Sequence, residues 1–405
     1  MIVPAPNSAR LKYGILALVT SAQAGASVGQ QALGSLGPFF APAFNLNAAQ
    51  LGVIFGALVF GAATTTALAG IFVDALGERK MILFSGATIC FALLAAISFR
   101  SYPWLVFWVG VSGVGYAAST PAGGRAILLW FTRDRGFAMG IRQMGVPVGG
   151  IVGALLLPLL ASAFDYRVAL AVAGLLALIP AVAVAIYYRD PEEVVRRVRP
   201  KRELLASMAT VARDPRLVLV TLTGMVLIFG QSNMLTFLEL SLVRDTNLTI
   251  ALGAGALAIA QIGAAAGRVM WGSASDRLFG GDRVVPLMFA SVALCIASFG
   301  VAHLPAGGIF PAFVLAFVLG LSGAGWNGIF STALAEIGGP ERTGSAIGIG
   351  LTGLFLAGTI SPPLFGAIAD AHGFSAAWTA LSLFALLALI PAFFARRAIH
   401  RTPFA

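Results

Sequence analysis

The sequence predicts an all-α membrane protein with twelve transmembrane helices, arranged as two pseudo-repeated bundles of six. Three observations predict this fold class. Of the 405 residues, 59% are apolar and only 10% are charged, long apolar runs recur along the whole chain, and motifs of the first half return in the second. A soluble domain has about a quarter charged residues, because water-facing groups must cover its surface. Lipid is therefore expected to cover most of this chain.

Twelve apolar runs have the length of about 20 residues that a helix needs to cross a bilayer. We number them spans 1 to 12; six precede one long polar stretch and six follow it. They cover residues 12–36, 49–73, 81–99, 103–131, 136–162 and 166–188, and then 215–242, 248–274, 284–303, 308–336, 342–368 and 375–395. The predicted domains are a six-helix bundle over residues 1–188, a cytoplasmic linker over 189–214 and a second six-helix bundle over 215–405.

The distribution of Lys and Arg predicts the orientation. Twenty of the 26 basic residues fall in segments or at span ends on the side of the N-terminus, three fall on the opposite side and three lie deeper within spans. Basic loops remain cytoplasmic, so we expect an inner (plasma) membrane protein with both termini in the cytoplasm. The basic run 196–202 of the linker predicts contact with anionic lipid headgroups. The apolar start of the chain also fits a cleavable signal peptide, but cleavage would leave an odd number of spans.

Metal ligands, nucleic-acid-binding surfaces and catalytic groups do not cluster in this sequence. Cys90 and Cys295 lie in apolar runs, and His303, His372 and His400 each lack a second ligand at metal-binding spacing. The net charge of +10 is split into short clusters between spans rather than gathered on one face. No acid–base pair shares one level of the bilayer. The sequence therefore predicts no metal, no cofactor, no nucleic-acid partner and no enzymatic activity, and we expect a monomer.

Motifs of the first half return at equivalent places in the second, as in transporters built from parallel repeats. The segment Gly110–Tyr116 in span 4 matches Gly320–Trp326 in span 10, with glycines in the same three positions. Asp165 after span 5 corresponds to Asp370 after span 11. The two halves are therefore predicted to share one architecture.

The loops after spans 2 and 8 share a more specific motif. The first runs from Gly70 to Lys80 around Asp74, and the second runs from Gly272 to Gly280. The pattern is similar to the loop signature of the major facilitator superfamily: Gly, three residues, Asp, Arg, one residue, Gly and then basic residues. The first copy has Ala in place of the Arg and Glu in place of a basic residue, and the second has one extra residue before its last Gly. The resemblance extends over nearly the whole chain.

This resemblance implies a transporter whose two halves rock around a central site. A carboxylate at the cytoplasmic end of one helix can stabilise the positive N-terminus of a facing helix and so close the inner gate. A Gly-Asp turn can also simply end a helix, but two copies at equivalent positions favour the gate. The predicted gate residues are Asp74, Arg79, Asp276 and Arg277.

Three arginines lie several residues inside the ends of the predicted spans: Arg125, Arg142 and Arg268. Ionisable groups in a membrane are costly and mark functional sites. None of the three has an acidic residue at a similar predicted depth, and a guanidinium offers a planar fork to a carboxylate or another oxyanion. The sequence therefore predicts an anionic substrate. Arg125 and Arg142 lie near the inner boundary, where a gate or structural role is the alternative.

Arg268 is the predicted anchor for the substrate. It lies four residues before Gly272 and eight before Asp276, similar to the position in helix 8 where monocarboxylate and oxalate transporters of the superfamily bind a carboxylate. Its alternative role is pairing with a polar group of a neighbouring helix. Polar and aromatic residues predicted to line the same site, or to hold helices together instead, are Tyr116, Gln143, Asn233, Gln261, Trp326 and Asn327.

The resemblance and the arginines together imply an alternating-access secondary transporter of a small organic anion, most like a monocarboxylate. Proton symport and anion exchange both remain open, because Glu239 and Glu336 lie near span ends rather than at mid-depth. The alternatives are a transporter of inorganic or aromatic anions and a multidrug exporter. An exporter of cationic drugs would be expected to hold a carboxylate at mid-depth, which this sequence lacks.

Overall fold

The computed structural model describes residues 6–131, 134–189 and 210–401, and these residues are almost entirely helical. Only the backbone is described at residues 6–10, 67, 68, 70, 71, 74, 75, 135, 136, 340, 341 and 401. The side chain of the predicted gate residue Asp74 and most of the predicted linker therefore lie outside the described residues.

The described helices follow the predicted order of spans. Ten have the length and apolar composition to cross a membrane, and two more, of 27 and 29 residues, are long enough at about 1.5 Å per residue. The first six spans are Pro6–Ala32, Ala48–Leu76, Glu78–Ala96, Tyr102–Trp130, Arg135–Ala163 and Tyr166–Tyr187. The last six are Pro215–Asp245, Ile250–Arg277, Val284–Ala302, Ile309–Gly339, Arg342–His372 and Phe374–His400. The predicted all-α fold with twelve spans is confirmed.

Three spans are less regular than predicted. Span 1 is followed by a 3-10 turn, Leu33–Leu36, and by a short helix, Gly37–Phe44, which has Pro38 in its first turn, where no backbone donor is needed. Span 10 breaks after Gly323 and resumes at Asn327, inside the repeated glycine motif. Span 12 breaks between Leu386 and Leu389, because Pro391 cannot donate to the carbonyl four residues earlier and its ring crowds that carbonyl.

Three pairs of consecutive spans are connected through one glycine with positive φ. Gly77 joins spans 2 and 3, and Gly373 joins spans 11 and 12, both with φ 85° and ψ 163°. Gly339, at the kink between spans 10 and 11, has φ 64° and ψ 176°. This region of backbone conformation is open to glycine alone. The chain can therefore pass from one span into the next at each of these glycines without a longer loop.

The chain packs as two compact units, and each gathers two parts of the sequence. The first unit contains Met1–Leu33 and Phe60–Val198, and the second contains Gly34–Val59 and Arg199–Ala405. The second unit thus includes the start of span 2, where a Cβ on Gly56 would lie 2.6 Å from the carbonyl oxygen of Thr359 in span 11. The boundaries predicted at residues 188 and 215 stay a prediction.

Within the first unit, spans 1 and 5 meet along a stripe of glycines. Gly145, Gly149 and Gly153 recur at intervals of four residues, and a Cβ on Gly145 would lie 2.8 Å from the carbonyl oxygen of Thr20. A Cβ on Gly149 would collide with the carbonyl oxygen of Ala24. Helices in lipid associate through such close backbone packing, because the hydrophobic effect does not drive them together.

The pseudo-repeat is visible in the packing of both units. In the first, a Cβ on Gly61 of span 2 would collide with the carbonyl oxygen of Gly110 in span 4. In the second, a Cβ on Gly263 of span 8 would collide with the carbonyl oxygen of Phe317 in span 10, and one on Gly320 would collide with span 8. The repeated glycines therefore serve the same close helix contact in each unit.

Candidate functional site

Arg142, in span 5, is the most completely buried charged group without an ion pair among the described residues of the first unit. Its side chain is 1% exposed. Nη2 donates hydrogen bonds to Gln23 Oε1 at 2.9 Å and to the carbonyl oxygen of Thr120 at 2.8 Å, and Nη1 donates to Gln143 Oε1 at 3.3 Å. Nε has no hydrogen-bond acceptor. Among the described residues, no carboxylate pairs with this guanidinium.

A polar shell orients Arg142 without neutralising it. Gln23, which accepts from Arg142, donates to Ser27 Oγ at 3.2 Å and also accepts from Ser119 Oγ at 3.3 Å. A Cβ on Gly123 would lie 2.6 Å from Arg142 Nε, so glycine leaves the space that the guanidinium fills. Tyr116 is buried in the same unit and lies close enough to interact electrostatically with Arg142. The shell consists of dipoles, and the positive charge therefore remains.

Arg125 has the carboxylate partner that the sequence did not reveal. Its Nε lies 2.8 Å from Glu78 Oε1, and Nη1 donates to the carbonyl oxygen of Val73 at 3.2 Å. Glu78 is 1% exposed at the start of span 3. The expectation that all three arginines lack an acidic partner is therefore wrong for Arg125, and the ion pair favours its structural role over substrate binding.

Arg268, the predicted anchor, is partly exposed in span 8. The preceding residue, Gly267, fixes the helix against span 10, since a Cβ there would lie 2.5 Å from the carbonyl oxygen of Leu321 and 2.9 Å from Gly325 Cα. The close contact at Gly267 therefore places the backbone of Arg268 beside the part of span 10 that contains Leu321 and Gly325. Its role in holding a substrate stays a prediction.

The polar residues of the second unit mainly join helices. Asn327 Nδ2 donates to Gln231 Oε1 at 2.8 Å and to the carbonyl oxygen of Ala324 at 2.9 Å. Asn233 Nδ2 donates to Ser361 Oγ at 3.0 Å, while its buried Oδ1 has no partner. These contacts match the alternative role of polar residues in helix bundles.

Trp326 is fully buried, and its indole N–H donates to the carbonyl oxygen of Gly323 at 2.7 Å. Its ring packs edge-on against Phe330 at a centroid distance of 5.4 Å. Trp326 thus belongs to the packed interior of the second unit. The sequence had led us to expect that it would line a substrate pocket. Gln261 is also buried, at 1% exposure, whereas Gln143 is exposed.

Glu239, in span 7, is a buried carboxylate to which the sequence alone assigns no firm role. It is 1% exposed, and neither of its oxygens has a hydrogen-bond partner. Glycine at position 253 of span 8 makes room for it, since a Cβ there would lie 2.9 Å from Glu239 Cγ. Because Glu239 lies near the end of span 7, hydropathy alone does not predict that it is buried.

The loop after span 8 forms an ionic cluster. Arg283 Nη1 donates to Asp276 and to Ser275 Oγ, and Arg283 Nε donates to Glu336 Oε1 at 2.9 Å. The predicted gate residue Asp276 therefore binds a side chain of its own unit. The expected contact was with the N-terminus of a facing helix. The gate roles of Asp276 and Arg277 stay a prediction, as does that of Arg79, whose Nε donates to the carbonyl oxygen of Ala185.

Asp282, in the same loop, is a second ionic centre. Oδ2 accepts from Arg396 Nε at 2.7 Å and lies 3.2 Å from His400 Nε2. Oδ1 accepts from the backbone N–H groups of Val284 at 2.9 Å and Val285 at 3.1 Å. Asp282 thus caps the start of span 9 and ties it to the end of span 12.

Twelve helical spans, a repeated packing pattern in two units and ionised groups buried at membrane depth define the class of multi-pass membrane transporters. Comparison with known families agrees: the Major Facilitator Superfamily model matches residues 19–306 and 220–404. The chain therefore belongs to the Major Facilitator Superfamily, and it is a membrane transporter rather than an enzyme. The predicted superfamily is confirmed, whereas the predicted similarity to its monocarboxylate and oxalate transporters stays a prediction.

Three relatives and one solved structure show the range of this similarity. The chain is 28% identical over 321 residues to the uncharacterized MFS-type transporter Rv2994 of Mycobacterium tuberculosis, covering 79% of this chain and 71% of that protein. It is 26% identical over 332 residues to the agnestins efflux protein AgnL12 of Paecilomyces divaricatus, covering 80% and 72%. It is 28% identical over 289 residues to the 3-(3-hydroxy-phenyl)propionate transporter of Escherichia coli, covering 68% of each chain.

The fold is similar to the crystal structure of a bacterial homolog of the human lysosomal transporter Spinster, in an inward-facing and occupied conformation. The TM-score is 0.76 at 17% sequence identity, and the match covers 98% of this chain and 99% of the other. This likeness concerns the fold alone.

Proposed function

We propose that this protein transports small organic anions bearing a carboxylate across the plasma membrane by alternating access, with both termini in the cytoplasm. The observation that carries the proposal is Arg142, a fully buried guanidinium with no carboxylate partner among the described residues. A positive charge kept at membrane depth without a counter-ion is suited to an anionic cargo.

The energetics support this use of Arg142. A buried cation loses several kcal/mol of hydration, and the oxygens of Gln23 and Thr120 replace only part of it because they are dipoles rather than charges. A carboxylate would supply the missing charge and could bind two N–H groups side by side. Arg142 Nε, which has no acceptor, offers one of those two donors. Arg268 stays a second proposed substrate ligand.

One relative favours an anion with an aromatic body. The E. coli protein is named for 3-(3-hydroxy-phenyl)propionate, which combines a phenyl ring with one carboxylate. Such a compound falls within the predicted class of monocarboxylates. Tyr116, which interacts electrostatically with Arg142, adds an aromatic side chain to the same unit, which suits a cargo with an apolar part.

Uptake by purified protein in liposomes tests the proposal. We expect the wild type to accumulate labelled 3-phenylpropionate and to exclude its uncharged amide. Arg142→Gln is expected to reduce uptake about 10- to 100-fold, since a hydrogen bond to a charged group contributes about 1.5–3 kcal/mol, and Arg142→Lys should keep part of it. Arg100→Gln, which alters an exposed arginine outside the spans, is the matched control. Wild-type uptake by a folded Arg142→Gln protein would remove Arg142 from the transport site.

The relative named as an efflux protein, at 26% identity over 332 residues, favours a second function, that of a multidrug exporter. The same liposomes separate the two functions. Loss of a neutral aromatic compound from loaded vesicles, without uptake of any carboxylate, would support the exporter and contradict the anion carrier.

A further inference from the structure

Glu239 and Glu78 are equally buried carboxylates in opposite electrostatic situations. Both are 1% exposed. Glu78 is held by the guanidinium of Arg125 at 2.8 Å, whereas neither oxygen of Glu239 has a hydrogen-bond donor or an ion-pair partner. The other membrane-level carboxylate, Glu336, is paired with Arg283. Among the described acidic side chains, Glu239 alone is both fully buried and without any partner.

The segments that pack against this face of span 7 bring no charge near Glu239. In span 8, Gly253 touches it, and the nearest ionisable residue of that helix is Arg268, fifteen residues or about 22 Å further along. The segment Gly34–Val59 packs through Gly34 against Leu235 and contains no charged residue. The helix Ile309–Gly323 of span 10 contains none either.

The remaining ionisable groups on neighbouring helices lie at helix ends. On span 7 itself, Arg244 and Asp245 are exposed at the end of the helix. On span 11, Asp370 is bound to the backbone of Ala48 and Ala49, and His372 is exposed. On spans 9 and 12, the charged groups with described side chains lie outside the apolar parts of the helices: Arg283, His303, Arg396, Arg397 and His400. Cys295, within span 9, is a neutral thiol.

A carboxylate in such surroundings is far more stable with a proton than without one. Burying an ionised carboxylate without a partner costs so much that the group takes up a proton instead. We propose that Glu239 is a proton-binding site and carries the proton that drives transport, an inference that rests on the proposed anion carriage for its coupling role but not for the proton site itself.

The proton balance follows directly. On one side of the membrane a carboxylate oxygen of Glu239 takes one proton from water and becomes the neutral acid. When the transport cycle opens the packing around Gly253 to water on the other side, the proton leaves and the carboxylate is hydrated. One proton moving with one monocarboxylate transfers no net charge.

Infrared spectroscopy of the purified protein tests the proton site without any substrate. Protonated carboxyl groups give a carbonyl band that carboxylates lack. At neutral pH we expect this band in the wild type and in Glu336→Gln, whose side chain is paired in the native protein, and its loss in Glu239→Gln. Identical spectra for the wild type and Glu239→Gln would overturn the proposal.

Proton flux in liposomes tests the coupling role. With a pH dye in the lumen, added 3-phenylpropionate should acidify the interior of wild-type vesicles. Glu239→Gln should lower this acidification at least tenfold while still exchanging labelled for unlabelled anion, and Glu239→Asp should restore it in part. Acidification at the wild-type rate by Glu239→Gln would refute the coupling role. If the wild type moves no carboxylate at all, the anion proposal fails, and the infrared result still decides the proton site.

Discussion

Asp370, at the end of span 11, binds the first turn of span 2 through both carboxylate oxygens. Oδ1 accepts from the backbone N–H of Ala48 at 2.8 Å, and Oδ2 accepts from that of Ala49 at 2.9 Å. These donors have no acceptor within their own helix, and they lie at its positive end. The contact is close, since a Cβ on Gly366 would collide with the carbonyl group of Ala48. One side chain thus fastens two distant parts of the second unit.

Removal of this carboxylate should destabilise the second unit. Asp370→Ala leaves two helix N-terminal donors without an acceptor, and we expect a loss of about 1–2 kcal/mol, as for other helix caps. Asp370→Asn retains one acceptor and should lose less. Thermal unfolding of the purified protein measures both, with Ser375→Ala, a nearby side chain that donates to the carbonyl oxygen of Ala302, as a comparison. Equal melting temperatures for all variants would contradict a capping role.

The pair formed by Glu78 and Arg125 should respond unequally to its two neutral substitutions. Arg125→Gln leaves a carboxylate that is 1% exposed without its cation, whereas Glu78→Gln leaves a guanidinium that is 21% exposed and can reach water. We expect Arg125→Gln to cost about 3–5 kcal/mol and Glu78→Gln to cost less. The double variant should cost less than the sum of the two. Denaturant unfolding provides the cycle, and the reverse ranking would be inconsistent with this geometry.

The glycine stripe between spans 1 and 5 predicts a difference between two alanine substitutions in one helix. Gly149→Ala places a methyl group against the carbonyl oxygen of Ala24 and should lose about 1–3 kcal/mol. Gly140→Ala meets open space in the same helix, and it should be neutral or stabilising by up to about 1 kcal/mol. Melting temperatures measured side by side decide this. A Gly149→Ala protein as stable as Gly140→Ala would mean that the helices separate easily there.

Asp282 predicts an acid-sensitive contribution to stability. Burial raises the pKa of this carboxyl, but hydrogen bonds from Arg396, from the backbone of Val284 and Val285, and from His400 outweigh burial and bring the pKa below its ordinary value. A lowered folded-state pKa stabilises the protein above the unfolded value of about 3.9, and the stabilisation is lost as pH falls through the folded value. Asp282→Asn should therefore melt below the wild type at neutral pH.

The difference between these two proteins should then shrink as the pH falls below about 4. Melting curves between neutral and acidic pH provide the measurement. A difference that is constant over this range would mean that the charge of Asp282 contributes nothing to folding.

Hydropathy predicts the spans well because a membrane helix must be long and apolar throughout. Hydropathy does not predict the exact residues at which the helices begin and end. The apolar run of span 3 starts at Met81, but the helix starts at Glu78, directly after Gly77. Glu78 therefore reads as a loop residue in the sequence, and the ion pair that neutralises Arg125 stays hidden.

Side-chain direction is the second quantity that the sequence does not reveal. Tyr116 and Trp326 occupy equivalent positions in the repeat, and both are buried, but only the helix that carries Trp326 breaks there, between Gly323 and Asn327. Arg142 and Arg268 look alike in hydropathy, but only the first is sealed from solvent. Whether an arginine is buried depends on how the helices pack, and that packing involves contacts between residues that are far apart in the sequence.

The single-glycine connections at Gly77, Gly339 and Gly373 leave the spans on either side almost no slack. A helix that is connected in this way cannot slide or tilt far without displacing its neighbour. We therefore expect two spans joined by one glycine to move together as a helical hairpin. Span 11 is tied in this way at both ends, to span 10 through Gly339 and to span 12 through Gly373, so a displacement of span 11 is expected to displace both neighbours.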